Sequence, residues 1–167
     1  MKKIISYFTI SLFIFFGYGC KKEEVSSSFL IGVWGVSNVE VLINDKITPI
    51  SSNSFDSNFK HVKHVFNEDF TYEFIDMDGS KVQGTWEYLS QSKEILVEYP
   101  ELGYVERYEV LTNSANEVVL RTPIIDVTKA ESDQEFEILF TASFLLVDTP
   151  SNLVEPKTLG LQYKLLK

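Results

Sequence analysis

Phe70-Thr71-Tyr72-Glu73-Phe74-Ile75-Asp76-Met77-Asp78-Gly79-Ser80-Lys81-Val82-Gln83-Gly84-Thr85-Trp86-Glu87-Tyr88 carries the pattern that decides the fold. Phe70, Tyr72 and Phe74 alternate with Thr71, Glu73 and Ile75, and Val82, Gly84, Trp86 and Tyr88 alternate with Lys81, Gln83, Thr85 and Glu87. Successive side chains of a strand point to opposite faces, so the two runs predict a hairpin with an aromatic inner face and a polar outer one. Asp76-Met77-Asp78-Gly79 supplies the turn, with the glycine providing the positive φ that a tight hairpin often needs.

The same alternation recurs about every ten residues in both directions. On the N-terminal side, Lys60 to Phe66 sets Val62, His64 and Phe66 against His61, Lys63 and Val65, and Asn67-Glu68-Asp69 turns the chain. A first strand over Val33 to Ile43 has Val39, Val41 and Ile43 in one phase and Trp34 in the other, which predicts a bulge or sharp bend near Gly35 to Asn38. Lys46 to Asn58 reads as a long irregular loop. On the C-terminal side, strands are expected over Ile95 to Tyr99, Tyr104 to Leu111 and Glu117 to Pro123. The longest is expected over Gln134 to Val147, with Phe136, Ile138, Phe140, Ala142, Phe144 and Leu146 sharing a face, and the last carries Leu159, Leu161, Tyr163 and Leu165. About nine strands, with helical character only in a turn at Ser27 to Ile31, must close or split into two layers. The expectation is all-β: an antiparallel up-and-down barrel of about 8–9 strands, with a β-sandwich as the alternative.

Upstream of the strands the chain has a different grammar. Lys2 and Lys3 precede an apolar run from Ile4 to Phe16, followed by Gly17-Tyr18-Gly19-Cys20-Lys21-Lys22-Glu23-Glu24. A charged, an apolar and a small-residue region in that order read as a secretory signal. As a helix, the run would cover about 20 Å of a bilayer core about 30 Å thick, which disfavours a permanent span. Residues 1–19 are therefore read as a signal peptide, 20–28 as a tether and 29–167 as one barrel domain. Cys20 is the only cysteine, so it has no partner within the chain for a disulfide. Loss of residues 1–19 takes the basic count from 15 to 13 against 24 acids, a formal charge of −11. Such an acidic domain repels phosphate backbones, and nucleic acid is not an expected partner.

The N-terminus resembles the lipoprotein signal peptides of Gram-negative bacteria, with Gly19 as the small residue before the lipid-bearing Cys20. Lys21 to Glu24 resembles the export tags that send some lipoproteins to the outer face of the outer membrane. Phe29-Leu30-Ile31-Gly32-Val33-Trp34 resembles the lipocalin opening, in which a short helical turn leads into Gly-x-Trp. Phe66 to Phe74 followed by Gly84-Thr85-Trp86-Glu87 looks like the lipocalin-like domains of bacterial surface lipoproteins. The resemblance implies a small barrel plugged by Gly32 and Trp34, with Lys164 or Lys167 in place of the arginine that often caps the tryptophan. It also implies a membrane-anchored cell-envelope protein that holds an apolar molecule, usually without catalysis.

Candidate site residues follow from parity. Phe74, Trp86, Tyr88, Tyr99 and Tyr108 fall on inward positions, where they either fill the core or line a ligand cavity. Glu106 shares its phase with Tyr104, Tyr108 and Val110; the preferred reading puts it at the rim in water, the other makes it an interior anchor for a ligand. His64 also turns inward. Glu73, Glu87, Glu94, Glu98, Glu135 and Glu137 fall on the outward phase and are expected to be solvated. His61 and His64, three apart on a strand, face opposite ways and suit no shared metal, and Asp76 to Gly79 lacks the later ligands of a calcium loop. No metal, cofactor or catalytic residue is expected, and no carboxylate pair stands out. An enzyme would require an acid such as Glu106 to meet a second polar group in a cleft. The expected partners are the membrane, through lipid on Cys20, and a small apolar or amphipathic ligand, or alternatively another envelope protein docked on a barrel with a filled core.

Overall fold

The computed structural model describes residues 27–48, 50, 55, 59–147 and 155–167. The expected signal peptide over 1–19, Cys20 and the expected tether as far as residue 26 lie outside the described residues, as does most of the expected loop over 46–58. A single 3-10 turn, Ser27–Phe29, precedes β1 (Gly32–Ile43). Then follow β2 (Lys46–Thr48), β3 (Lys63–Phe66), β4 (Thr71–Ile75), β5 (Lys81–Leu89), β6 (Glu94–Tyr99), β7 (Tyr104–Asn113) and β8 (Glu117–Arg121). After β8 come β9 (Ile125–Asp126), helix α1 (Asp133–Leu146) and β10 (Thr158–Leu166).

Eight strands close an antiparallel barrel in the order β1-β3-β4-β5-β6-β7-β8-β10, with β10 pairing back onto β1. The up-and-down meander is consistent with a lipocalin-like barrel, and closure removes the sheet edges that a sandwich would leave. The two short strands β2 and β9 extend the sheet from β1 and β10. Lys46 to Thr48 is therefore strand, where the sequence reading had only irregular loop.

The predicted phase change in β1 is a bulge. Pairing with β10 runs Val36 to Leu165 and then Asn38 to Lys164, leaving Ser37 as the extra residue. Trp34 and Val36 point inward before it, and Val39, Val41 and Ile43 point inward after it. One inserted residue thus keeps both halves of a long, coiling strand buried.

The largest correction concerns Gln134 to Val147, which is helix rather than strand. Ser132 caps it: its Oγ accepts from the Glu135 N–H at 3.3 Å, and the Glu135 carboxylate accepts from the Ser132 N–H at 2.8 Å. Ile138, Ala142 and Leu145, spaced as i, i+4 and i+7, are the buried stripe. The alternating aromatics mimic a strand only because Phe136, Phe140 and Phe144 also fit an i+4 spacing.

Pro123 explains where the helix sits. The register of β7 with β8 ends at Glu109 opposite Arg121, and continued pairing would set Arg107 opposite Pro123, which has no N–H to give. The Gln134 amide takes over both groups. Its Oε1 accepts from the Arg107 N–H at 3.1 Å, and its Nε2 donates to the Arg107 carbonyl at 2.9 Å. The first turn of α1 thereby continues the ladder that β8 abandons, and the helix packs against β7 and β10 at that end.

The opposite end is sealed. Trp34 is fully buried, and its Nε1–H donates to the Leu30 carbonyl at 2.6 Å. Lys167 places its Nζ 4.7 Å from the centre of the indole, the cation-over-ring position the resemblance assigned to Lys164 or Lys167. Lys164 instead pairs with Glu117. Gly32 has φ +136, a backbone conformation that favours glycine, and a Cβ there would lie 3.1 Å from the Lys167 stem, which would have to shift slightly.

Candidate functional site

Above the Trp34 layer, the barrel is not filled. A cavity of about 500 Å³ opens at the end where α1 lies. Its apolar wall includes Phe59, Val62, Phe74, Val82 and Tyr163, and the helix contributes Glu137, Phe140, Thr141 and Phe144. Residues 137, 140, 141 and 144 fall on one helical face because they are spaced by three and four. The sequence reading lost this face by assigning the segment to a strand.

Of the seven residues singled out as ligand-binding candidates, five line the cavity: His64, Phe74, Tyr99, Glu106 and Tyr108. Trp86 and Tyr88 lie elsewhere. Trp86 packs edge-on to Phe66 and donates its Nε1–H to the Asn67 carbonyl, and Tyr88 meets Phe29 edge-on. Both belong to the closed end, next to the Trp34 plug.

Glu106 is the polar centre of the site. It is only 5% exposed, which overturns the preferred reading of a rim carboxylate in water. The reason lies in the register: β7 pairs Glu106 with Val97 and Tyr104 with Tyr99, well inside the sheet, so the inward phase is also an interior depth. The Tyr99 and Tyr108 hydroxyls each donate to its Oε2 at 2.8 Å. Burial pushes the Glu106 carboxyl pKa up, against the opposing pull of those hydroxyls.

Glu137 is the second acid, and the expectation that it is solvated on an outward strand phase is corrected by its place on α1. Solvent reaches much of the residue, yet its carboxyl is crowded by the cavity wall and faces Glu106. Desolvation, and then the Glu106 charge, lift its pKa to about 7. Two acids this close titrate as a unit and retain one proton between them near neutrality. The other acids expected outside are engaged there: Glu73 with Lys81, Glu94 with Arg107, Glu135 in the helix cap, and Glu87 and Glu98 exposed.

His64 is buried, with its Nδ1 2.6 Å from the Tyr72 hydroxyl and its ring edge-on to Phe74. Desolvation lowers its pKa to about 4, so the imidazole is neutral at physiological pH. Burial likewise raises the pKa values of Tyr72, Tyr99, Tyr104, Tyr108 and Tyr163, which remain phenols. Among the described residues, no Lys or Arg lines the cavity. Its polar groups are thus neutral donors and acceptors around a carboxyl pair, with Asp76 as a third acid at the mouth. Among the described residues, no group of three or more His, Cys, Asp or Glu side chains is arranged to hold a metal ion.

The pair was missed because its members are 31 positions apart and only the helix brings them together. Ser132-Asp133-Gln134-Glu135 ahead of an apolar run is the signal that could have found the helix, since it has the spacing of a capping box. No family model, curated protein or solved structure matches the chain.

Proposed function

We propose that the protein is a lipid-anchored cell-envelope lipoprotein whose barrel binds a small apolar or amphipathic molecule without transforming it. The observation that carries the binding role is the cavity of about 500 Å³, closed below by Trp34 and open beside α1. That volume lies in the range of small-molecule sites, and the few polar groups set in an aromatic wall are the usual means of orienting a ligand. The anchoring role rests on the signal grammar and on Cys20. Several acyl chains at about 0.8 kcal/mol per buried CH₂ would hold the domain firmly at the membrane.

Fluorescence titration with N-phenylnaphthylamine, a neutral apolar dye, tests the binding role. Saturable one-to-one enhancement is expected, and a signal that rises linearly without saturation contradicts it. Cys20→Ala should move the protein from the membrane fraction to the soluble fraction, and continued membrane retention would sink the lipid anchor.

A second reading is favoured by one observation. Phe136, Phe140 and Phe144 on α1 and Val147 at its C-cap are each half or more exposed, a run of apolar surface that suits contact with another envelope protein. Cross-linking on intact cells separates the readings, because an interaction module must show a constant protein neighbour. Acid–base chemistry is the third reading, since Glu106 does meet polar groups in a cleft. Its two donors are tyrosines whose protons are committed to Oε2, which favours holding a charge over relaying a proton.

A further inference from the structure

We propose that the cavity selects an organic cation, an apolar body ending in a protonated amine, whose head group sits between Glu106 and Glu137. This deepens the binding role proposed above and rests on it. Three observations point the same way.

The first is charge balance. Among the described residues the cavity wall carries Glu106, Glu137 and Asp76, no Lys or Arg, and a histidine, His64, that burial keeps neutral. Taking a carboxylate out of water costs several kcal/mol unless a cation or enough donors replace the lost hydration. Tyr99 and Tyr108 donate to Oε2 of Glu106, and Tyr104 and the Glu137 carboxyl are its other hydrogen-bonding neighbours, so the pair is held by neutral hydroxyls and a shared proton and not by a cation. Glu137 makes no salt bridge among the described residues, and its crowded carboxyl faces like charge. An ammonium between the two carboxyls supplies up to three donors and the missing positive charge.

The second is the wall itself. Aromatic faces carry negative electrostatic potential and attract cations, more strongly where water is excluded. Tyr104 and Tyr163 lie on the barrel side of the pair, and Phe140 and Phe144 on the helix side. Fatty acids and other anions would face the same potential with the opposite sign, and are excluded.

The third separates an organic cation from a metal ion. Calcium takes six to eight oxygen ligands, and magnesium wants a near-ideal octahedron, whereas the site offers one carboxyl pair. No metal-holding group occurs among the described residues. A cation with an apolar body also fills the remaining volume.

Binding is linked to protonation. A protonated amine requires the pair to give up its shared proton, which goes to the buffer. The other groups facing the pair do not compete for that proton: the hydroxyls of Tyr72, Tyr99, Tyr104, Tyr108 and Tyr163 stay protonated, and His64 stays neutral. Asp76 at the mouth adds a further negative charge. Amine affinity therefore rises with pH through the interval near 7, and binding below that interval releases a proton.

Calorimetry on the full-length chain in detergent, with phenethylamine, phenethyl alcohol and phenylacetate, provides the test. These three probes share a body and differ in the head group. The amine is expected to bind about tenfold or more tightly than the alcohol, the advantage of a charge-assisted over a neutral hydrogen bond, and the acid not at all. Proton release should show as a buffer-dependent heat at about pH 6. Glu137→Gln and Glu106→Gln should each cancel the preference for amine over alcohol, whereas Glu87→Gln on the outer face should leave it intact. Equal binding of amine and alcohol overturns the head-group assignment and leaves the cavity as a binding site. Binding of none of the three overturns both. A preference for the acid reverses the inference outright.

Discussion

Glu106 and Glu137 set the pH behaviour of the molecule, because folding brings two like charges together in a wall without cations. For Glu137, an ordinary pKa of 4.5 becomes about 7 in the fold, so the folded state keeps a proton that the unfolded chain has released. The stability this brings is complete below about pH 4.5 and is lost as pH rises through about 7. Glu137→Gln removes the repulsion: its melting temperature should exceed that of the wild type at about pH 8 and match it at about pH 4.5, as read by circular dichroism. Equal shifts at both values would contradict the pairing. His64 has the opposite sign. Its pKa falls from 6.5 to about 4 on burial, so its contribution is complete above about pH 6.5 and lost as pH falls through about 4. Its ring proton signals in NMR should stay constant between about pH 8 and 5.5, and a midpoint near 6.5 would show an imidazole open to water. Parity turned His64 inward and left Glu106 an interior position only as the alternative to the rim, because parity gives a face and not a depth. The depth came from register, which depends on partners far away in the chain.

Helix α1 gives the cavity one wall, and its placement depends on few residues. Removing the cap with Ser132→Ala should cost about 1 kcal/mol, measurable by urea unfolding. Gln134→Ala should leave the Arg107 N–H without its partner, and hydrogen exchange at that amide should accelerate while amides in β4 and β5 are unchanged. Unchanged exchange at Arg107 would mean that the helix is held without this ladder contact. These elements also mark what was legible. Eight barrel strands and the bulge at Ser37 followed from alternation, because an interior wall and a watered exterior impose a period of two on every strand between them. The helix was not legible by that rule. Phe136, Ile138, Phe140, Ala142, Phe144 and Leu146 satisfy a strand period, whereas the actual burial picks out Ile138, Ala142 and Leu145. The short strands β2 and β9 were missed because two or three residues carry no period.

At the scale of the whole molecule, the barrel has one sealed end and one open end. Trp34, with Leu30 behind it and Lys167 across it, closes the first, where both termini of the described barrel meet. The second is open because Pro123 stops β8 and α1 replaces it with a face that carries Glu137 and phenylalanines. The same proline that ends a strand therefore provides the site's second acid. The central claim is that the hollow interior carries a small organic molecule in life. Native mass spectrometry of the protein released from the membranes of its own host tests this most directly. The account predicts a population heavier than the lipidated polypeptide by one small molecule, which leaves on mild collisional activation. A single species at the mass of the lipidated polypeptide alone, in gently purified protein, would contradict it.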